Sequence, residues 1–280
     1  MAVSTMASPL CSESEPQVNT VATGPLRQVV NRLVRRCMPG LYENLRFRFG
    51  HPATMVEIGR VVEINCGGKV VSGPFAGMVY TNAVTGSFVP KLLGCYEEEL
   101  HGVLEYAAAR NYEQVIDIGC GEGYYAVGLA MRMPLASVVA FDIDADARQA
   151  CVNQARRNGV ENRVQVRSAC TPDHLRQILS PRGLVISDCE GYEAELLRPD
   201  LVTALQTCDI LVELHEQFVP GITQTIMSRF SNTHEVELID VKPRDPATYP
   251  ALQGFTHEKQ RLAVDEARYG AMQWAWMRKS

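Results

Sequence analysis

The chain has 280 residues, 46% of them hydrophobic, and a formal net charge of −5. It can bury a sizeable core, it is long for one domain and short for two, and its charge argues against general nucleic-acid or membrane-surface binding. No apolar run reaches the ~18 residues of a membrane span, and the start MAVSTMASPLCSESEPQVNT lacks the basic stretch and apolar core of a secretory signal. The nine cysteines include no CxxC pair, which suits reduced, buried thiols in a cytoplasm better than disulfides or zinc.

Residues 1–24, rich in Ser, Thr, Glu and Pro, read as a disordered tail. Leu26, Val29, Val30, Leu33, Val34 and Cys37 then recur at helical spacing, which predicts an amphipathic helix with Arg27, Arg32, Arg35 and Arg36 on its solvated face. The runs Val61–Ile64, Lys69–Val71 and Met78–Tyr80, punctuated by CGGK, SGPFAG and TGS, complete an N-terminal helical and β-rich extension or cap over 25–95. A helix is expected from about Tyr96 to Arg110, opening a main domain of 96–280. From Gln114 onward, apolar strands (Val115–Ile118, Val138–Phe141, Val164–Arg167, Leu184–Ser187, Ile210–Leu214) alternate with helical stretches, the rhythm of a parallel α/β sheet. Glu235–Val241 and Met272–Met277 read as two further strands, paired antiparallel at one edge.

The stretch VIDIGCGEGYYAVGLA is a strand, a glycine turn and a helix. Gly119, Gly121 and Gly123 allow a tight turn and close approach to a ligand, and the helix that follows offers free N–H groups at its start. Tight turns need glycines anyway, so the spacing matters. Here it is GxGxG, with Tyr124 where a dinucleotide fold would place its last glycine. Asp142 closes the second strand 19 residues after Gly123, where an acid can accept ribose hydroxyls. Ile143 adjoins it, and Asp144 suits the cap of the next helix. The third strand runs into RSACT, a loop placed to lie beside an adenine.

D-x-G-x-G-x-G, the acid after the second strand and Asp188 after the fourth resemble class I S-adenosylmethionine-dependent methyltransferases. More narrowly, DCEGYEAELL followed by ILVELHE is similar to the FkbM-type branch, with its D-x-E-G-x-E stretch and later E-x-H; many members carry Glu where this chain has Asp142. The resemblance covers roughly residues 90–240. It implies a Rossmann-like, doubly wound, seven-stranded and mostly parallel α/β sheet with an antiparallel C-terminal edge strand. It implies S-adenosylmethionine as cofactor, with Asp117 near the methionine amino group and Gly119, Cys120, Gly121 and Gly123 beneath it. Asp142 and Ile143 are then expected at the ribose, Ala169 and Cys170 at the adenine, and Tyr125 in the lining. For Cys120 and Tyr125 packing is an equal explanation. Tyr96, Glu97 or Lys91 are candidates to fold over the methionine end.

A neutral amine already has its lone pair, whereas a hydroxyl acceptor calls for a base or a metal. Asp188 should face the reacting methyl, with Glu190 beside it. Glu193 reads equally as a helix-start charge, and Glu195 as solvent charge. Glu213 and His215, two apart on strand five, project to one side, and a neighbouring carboxylate would raise the basicity of His215. The catalytic candidates are therefore His215, Asp188, Glu213 and Glu190. The site is read without a metal, although Asp188, Glu213 and Glu190 offer the oxygens that hard cations take. The expected reaction is O-methylation of a small molecule, a sugar or secondary metabolite, by a cytoplasmic protein with no nucleic-acid or membrane partner; a homodimer is left open. N-methylation of an amine, amide or peptide side chain, an inactive cofactor-binding scaffold and, more distantly, a NAD-dependent dehydrogenase are the alternatives.

Overall fold

Strand segments that read as continuous apolar runs lie inside the sheet, and the one that alternates lies at its rim. The computed structural model describes residues 52–81, 87–266, 268 and 272–280. The chain divides into two units, 1–50 and 51–280. The expected tail and the amphipathic helix over Leu26–Cys37 fall in the first and lie outside the described residues.

Within the second unit, β1 (Gln114–Ile118), β2 (Ser137–Phe141), β3 (Val164–Arg167), β4 (Gly183–Ser187) and β5 (Asp209–Leu214) run parallel, and β6 (His234–Asp240) and β7 (Gln273–Lys279) complete one sheet in the order β3-β2-β1-β4-β5-β7-β6. β4 and β5 are buried along their whole length, because helices cover both faces of a parallel sheet. As expected, β6 and β7 pair antiparallel at one edge of the sheet, although the C-terminal strand β7 is not itself the outermost. β7 is inserted between β5 and β6 and runs antiparallel to both. Trp274, Ala275, Trp276 and Met277 can be covered on either face, whereas HEVELID of β6 alternates and tolerates the outer position.

The described part of the N-terminal extension, residues 52–81 and 87–95, is mainly helical. Val61–Ile64, expected as a strand, lies inside α1 (Pro52–Cys66), where Ile58, Val62 and Cys66 form a buried stripe at i, i+4 and i+8. Packing of that stripe on α2 (Phe88–Leu93) outweighs the strand preference of the β-branched residues. Lys69–Val71 and Met78–Tyr80 meet only through a single antiparallel bridge, Lys69 to Val79. The helix expected from Tyr96 starts late: Glu97 has left-handed backbone (φ 50°), a 3₁₀ turn spans Glu98–Leu100, and α3 covers His101–Ala108.

After β1 the chain enters the glycine turn and α4 (Tyr124–Arg132), then alternates through α5 (Ala145–Arg157), α6 (Pro172–Ile178), the single turn α7 (Glu193–Leu196) and α8 (Ile222–Phe230), with α9 (His257–Ala263) before β7. The extension docks on α4. Phe75 meets the rings of Tyr124 and Tyr125 edge-on and lies over Gly128, where a Cβ would stand 2.5 Å from its ring. Buried Lys91 on α2 pairs at 2.5 Å with Glu122 of the glycine turn, and the Tyr80 hydroxyl donates to the same carboxylate. Lys91, a candidate to fold over the methionine end, is thus held by the glycine turn.

Strand order reverses between β1 and β4, and the carboxyl ends of those strands open a crevice there. Gly119 sits at its floor with φ 81°, and a Cβ on it would stand 1.6 Å from the Asp188 carbonyl oxygen. Gly119→Ala is therefore expected to lower the unfolding free energy by about 3 kcal/mol or more. Denaturant titration checks this; an unchanged midpoint would show that the turn opens freely.

Candidate active site

The crevice is a cleft of about 620 Å³. Gly119, Gly121, Asp142, Ile143, Ala169, Cys170 and Asp188 line it, together with Tyr96, Phe141, Ser168, Thr171, Cys189, Glu190 and Tyr192. Asp142 accepts from the Gly121 N–H through Oδ2 and from the Asp144 N–H through Oδ1, each at 2.8 Å. One carboxylate thus ties the end of β2 to the glycine turn while remaining at the cleft. Asp144 takes the separate task expected of it, capping α5 through the N–H groups of Asp146 and Ala147.

Four residues expected to touch the cofactor are not part of the cleft wall. Gly123 is required by packing: a Cβ there would lie 2.7 Å from the Cys151 sulfur on α5. The Cys120 thiol is buried and turned towards Cys151. Tyr125 packs edge-on against Phe75 and Trp274. Asp117 is 2% exposed beneath the turn; it accepts a backbone hydrogen bond from Ala126, and its Oδ2 has no partner among the described residues. Burial, reinforced by the charges of Asp188 and Asp142, pushes its carboxyl up to about 7.

The catalytic candidates do converge. β4 ends in Asp188, and the chain then reverses through Glu190 and Gly191, both at positive φ (54° and 104°). Glu190 and Glu97 are the only non-glycine residues at positive φ among the described residues, and both belong to this region. Holding each there costs about 1–3 kcal/mol, a strain typical of functional sites. The reversal brings Asp188 and Glu190 over the end of β5, where Glu213 and His215 share one face.

His215 is completely buried, with its ring stacked on Phe218. Its Nδ1 lies 2.6 Å from Oε1 of Glu193. Its Nε2 lies 3.5 Å from Asp188 Oδ1, 3.5 Å from Glu213 Oε2 and 3.6 Å from Glu190 Oε2. The carboxylate expected to hold the imidazole, Glu213, is therefore one of the groups facing Nε2, and Glu193 holds the ring instead. Glu193 does open α7, as the helix-start reading expects, but it is fully buried and holds the imidazole as well, whereas Glu195 is exposed as expected. Burial by itself would lower the His215 pKa, but the hydrogen bond that its Nδ1–H donates to Glu193 and the charges of Glu193, Asp188 and Glu190 together raise it. Burial would raise Glu193, and its bonds with His215 and the Gly191 N–H reverse the direction. With Glu193 ionised, Nδ1–H donates to it and the Nε2 lone pair faces the three other acids.

Arg268 and Glu266 escaped the sequence, and Glu97 was expected only as a candidate over the methionine end. Arg268 pairs with Glu213 at 3.2 Å, with Glu266 at 2.8 Å and with Glu97. Glu97 is buried, and its N–H is held by Glu266 rather than by a helix. Burial pushes Glu97 up to about 8 in spite of Arg268. Burial, then the charges of Asp188 and Glu97, pushes Glu213 up to about 11. Asp188 is raised as well, chiefly by burial. Acids outnumber cations here, and nothing in the linear pattern around Arg268 signalled it.

Residues 115–208 match a family described as a methyltransferase domain. Over 52 residues the chain is 48% identical to the ribosomal protein L11 methyltransferase of Alteromonas mediterranea and 44% identical to that of Escherichia coli, in each case over 19% of this chain. Those matches span 18% and 17% of the relatives' length, so the chain covers under a fifth of the curated relatives it resembles. Among solved structures, cofactor-bound Rv0187 from MTB aligns with a TM-score of 0.47 and 12% identity, over 92% of this chain and 99% of that one. The O-methyltransferase TomG of Streptomyces achromogenes, in complex with SAM, aligns with a TM-score of 0.45 and 14% identity, over 66% of this chain and 81% of that one. The sheet is seven-stranded and mostly parallel, with alternating helices and antiparallel C-terminal strands, and residues 115–208 are similar to a methyltransferase domain. The cofactor that the sequence resemblance implies is S-adenosylmethionine. The cleft fits such a group: it has a carboxylate at the end of β2, a glycine floor and a buried carboxyl oxygen left unpaired beneath that floor.

Proposed function

We propose that the protein is an FkbM-type enzyme that methylates a hydroxyl of a small molecule, such as a sugar or secondary metabolite. The observation that carries this reading is the gathering of Asp188, Glu190 and Glu213 within 3.6 Å of His215 Nε2 at the edge of the cleft. S-adenosylmethionine, when bound, supplies an electrophilic methyl group. The chain's own residues then have two tasks: to hold donor and acceptor in line, and to remove the proton that makes a hydroxyl a poor nucleophile. Asp188, Glu190, Glu213 and His215 perform the second, with Glu193 orienting the imidazole. The branch assignment draws support from the same cluster, because D-x-E-G-x-E supplies Asp188, Glu190 and Glu193, and E-x-H supplies Glu213 and His215. The surplus of acids favours one competing acceptor, a cationic amine.

No helix among the described residues is long and apolar enough to cross a membrane. The proposal gives the protein a small-molecule acceptor and no nucleic-acid partner. Calorimetry with S-adenosylmethionine is the first test, followed by transfer of a labelled methyl group to panels of hydroxylated and aminated compounds. Folded protein that fails to bind the cofactor would sink the proposal, and labelling of amines alone would replace O- by N-methylation.

Asp117 adds a pH dependence. If its carboxylate faces the methionine ammonium, the proton it holds below about pH 7 must leave before the cofactor binds. Affinity is then expected to fall about tenfold for each unit of pH below 7 and to level off above it. Asp117→Asn should flatten that profile and weaken binding at pH 8; a parent profile that is already flat rules out the role.

A further inference from the structure

We propose that Asp188, Glu213 and His215 form a binding site for a first-row divalent transition-metal ion at the carboxyl ends of β4 and β5. This rests on the reading of the protein as a methyltransferase for hydroxyl acceptors, and it names what activates the hydroxyl.

The argument starts from His215 Nε2. The atom is buried, has no hydrogen-bond partner among the described residues and points at carboxylate oxygens on three sides. Distances of 3.5–3.6 Å are too long for hydrogen bonds. A lone pair facing charged carboxylates at that range is repulsive unless a positive charge, either a ring proton or a metal ion, lies there, and a ring proton would find no acceptor at hydrogen-bond distance among the described residues. Ligand atoms about 2.0–2.2 Å from a shared cation are themselves about 2.9–3.5 Å apart, close to the spacing seen here. One ligand atom each from Asp188, Glu213 and His215 lies within 4.8 Å of the others. Asp188 Oδ1 is, like Nε2, buried and unpartnered.

The surroundings of the imidazole point the same way. Histidines that bind metals commonly donate their second N–H to a carboxylate, which fixes the tautomer and strengthens the ligand. Glu193 does this at 2.6 Å while fully buried. A base must touch the proton it removes, and His215 is completely buried and outside the cleft wall, so it acts through the acids that reach the cleft. Asp188 and Glu190 do line the cleft, so an ion beside Asp188 presents its free positions to an acceptor. A hydroxyl bound there loses its proton near neutral pH, and the Glu190 carboxylate, which is mostly exposed, takes it and passes it to water. The mix of one imidazole with carboxylates suits Mn²⁺, Fe²⁺ or Zn²⁺ better than Ca²⁺ or Mg²⁺, whose ligands are all oxygens.

The test is a Mn²⁺ titration of chelator-treated, full-length protein by electron paramagnetic resonance, with S-adenosylmethionine calorimetry on the same sample. One Mn²⁺ per chain is expected, with ¹⁴N coupling from the imidazole that disappears in His215→Gln. Asp188→Asn and Glu213→Gln should weaken Mn²⁺ binding at least 50-fold, Glu193→Gln by about 10- to 100-fold, and exposed Glu195→Gln not at all. Protein that binds S-adenosylmethionine but takes up no stoichiometric Mn²⁺ overturns the metal site and leaves the methyltransferase reading intact. Mn²⁺ binding that lacks ¹⁴N coupling and is indifferent to Asp188→Asn also overturns it. Failure of S-adenosylmethionine to bind, with Mn²⁺ bound as expected, overturns the functional reading instead.

Discussion

Replacing His215 by Gln is expected to lower kcat by a factor of on the order of a thousand while leaving S-adenosylmethionine affinity within about twofold of the parent. The split follows from position. His215 is not part of the cleft wall, and its Nε2 faces the acids proposed to handle the acceptor's proton. Gln can still donate an N–H to Glu193 but has no nitrogen lone pair to offer the cluster. Ala is the poorer probe, because it would leave Glu193 charged, buried and unpaired, at a cost of about 3–5 kcal/mol. Methyl-transfer kinetics and calorimetry on the same variant decide the matter. An unchanged kcat would remove His215 from the chemistry, and equal losses of turnover and cofactor affinity would mean that the ring merely supports the fold.

Asp142→Ala is expected to weaken S-adenosylmethionine binding at least 100-fold, which corresponds to about 2.7 kcal/mol. A carboxylate that accepts from two ribose hydroxyls contributes about 1.5–3 kcal/mol for each charge-assisted bond. In this chain the same side chain also accepts from the N–H groups of Gly121 and Asp144, so the substitution loosens the glycine floor as well. Asp142→Glu separates the two effects. It keeps the charge with a longer reach, and is expected to retain cofactor binding within about tenfold while losing some thermal stability through the displaced backbone bonds. Wild-type affinity in Asp142→Ala would show that the acid serves only the turn.

The chain disclosed those parts of the fold whose information is local. Strand, glycine turn and helix occupy consecutive residues, and so do strand two and Asp142, and the DCEGYE stretch after strand four. Their periodicity and end residues therefore read directly, and β1 to β5 fall within a residue of the expected limits. Val61–Ile64 misled because β-branched residues favour strands only weakly, and the stripe that makes them helical shows itself only when α1 meets α2. The place of β7 was not legible either, since an antiparallel strand can add to a sheet at its rim or slip between two others, and only the cover over Trp274 and Trp276 decides.

At the site the same division holds. The sequence by itself determined the cofactor end, the acids after β4 and the pair on β5, because each is a strand-end position in a sheet whose ends form the cleft. Only the tertiary structure decided what each acid does. Glu193 and His215 are 22 residues apart, and Glu97 and Arg268 are 171 apart. No local pattern records such distances, because a hydrogen bond or ion pair depends on where the topology returns the chain and on how thoroughly water is excluded there. Burial turned a helix-start glutamate into the support of a histidine. It also enclosed a histidine read as a base, with its Nε2 facing three acids.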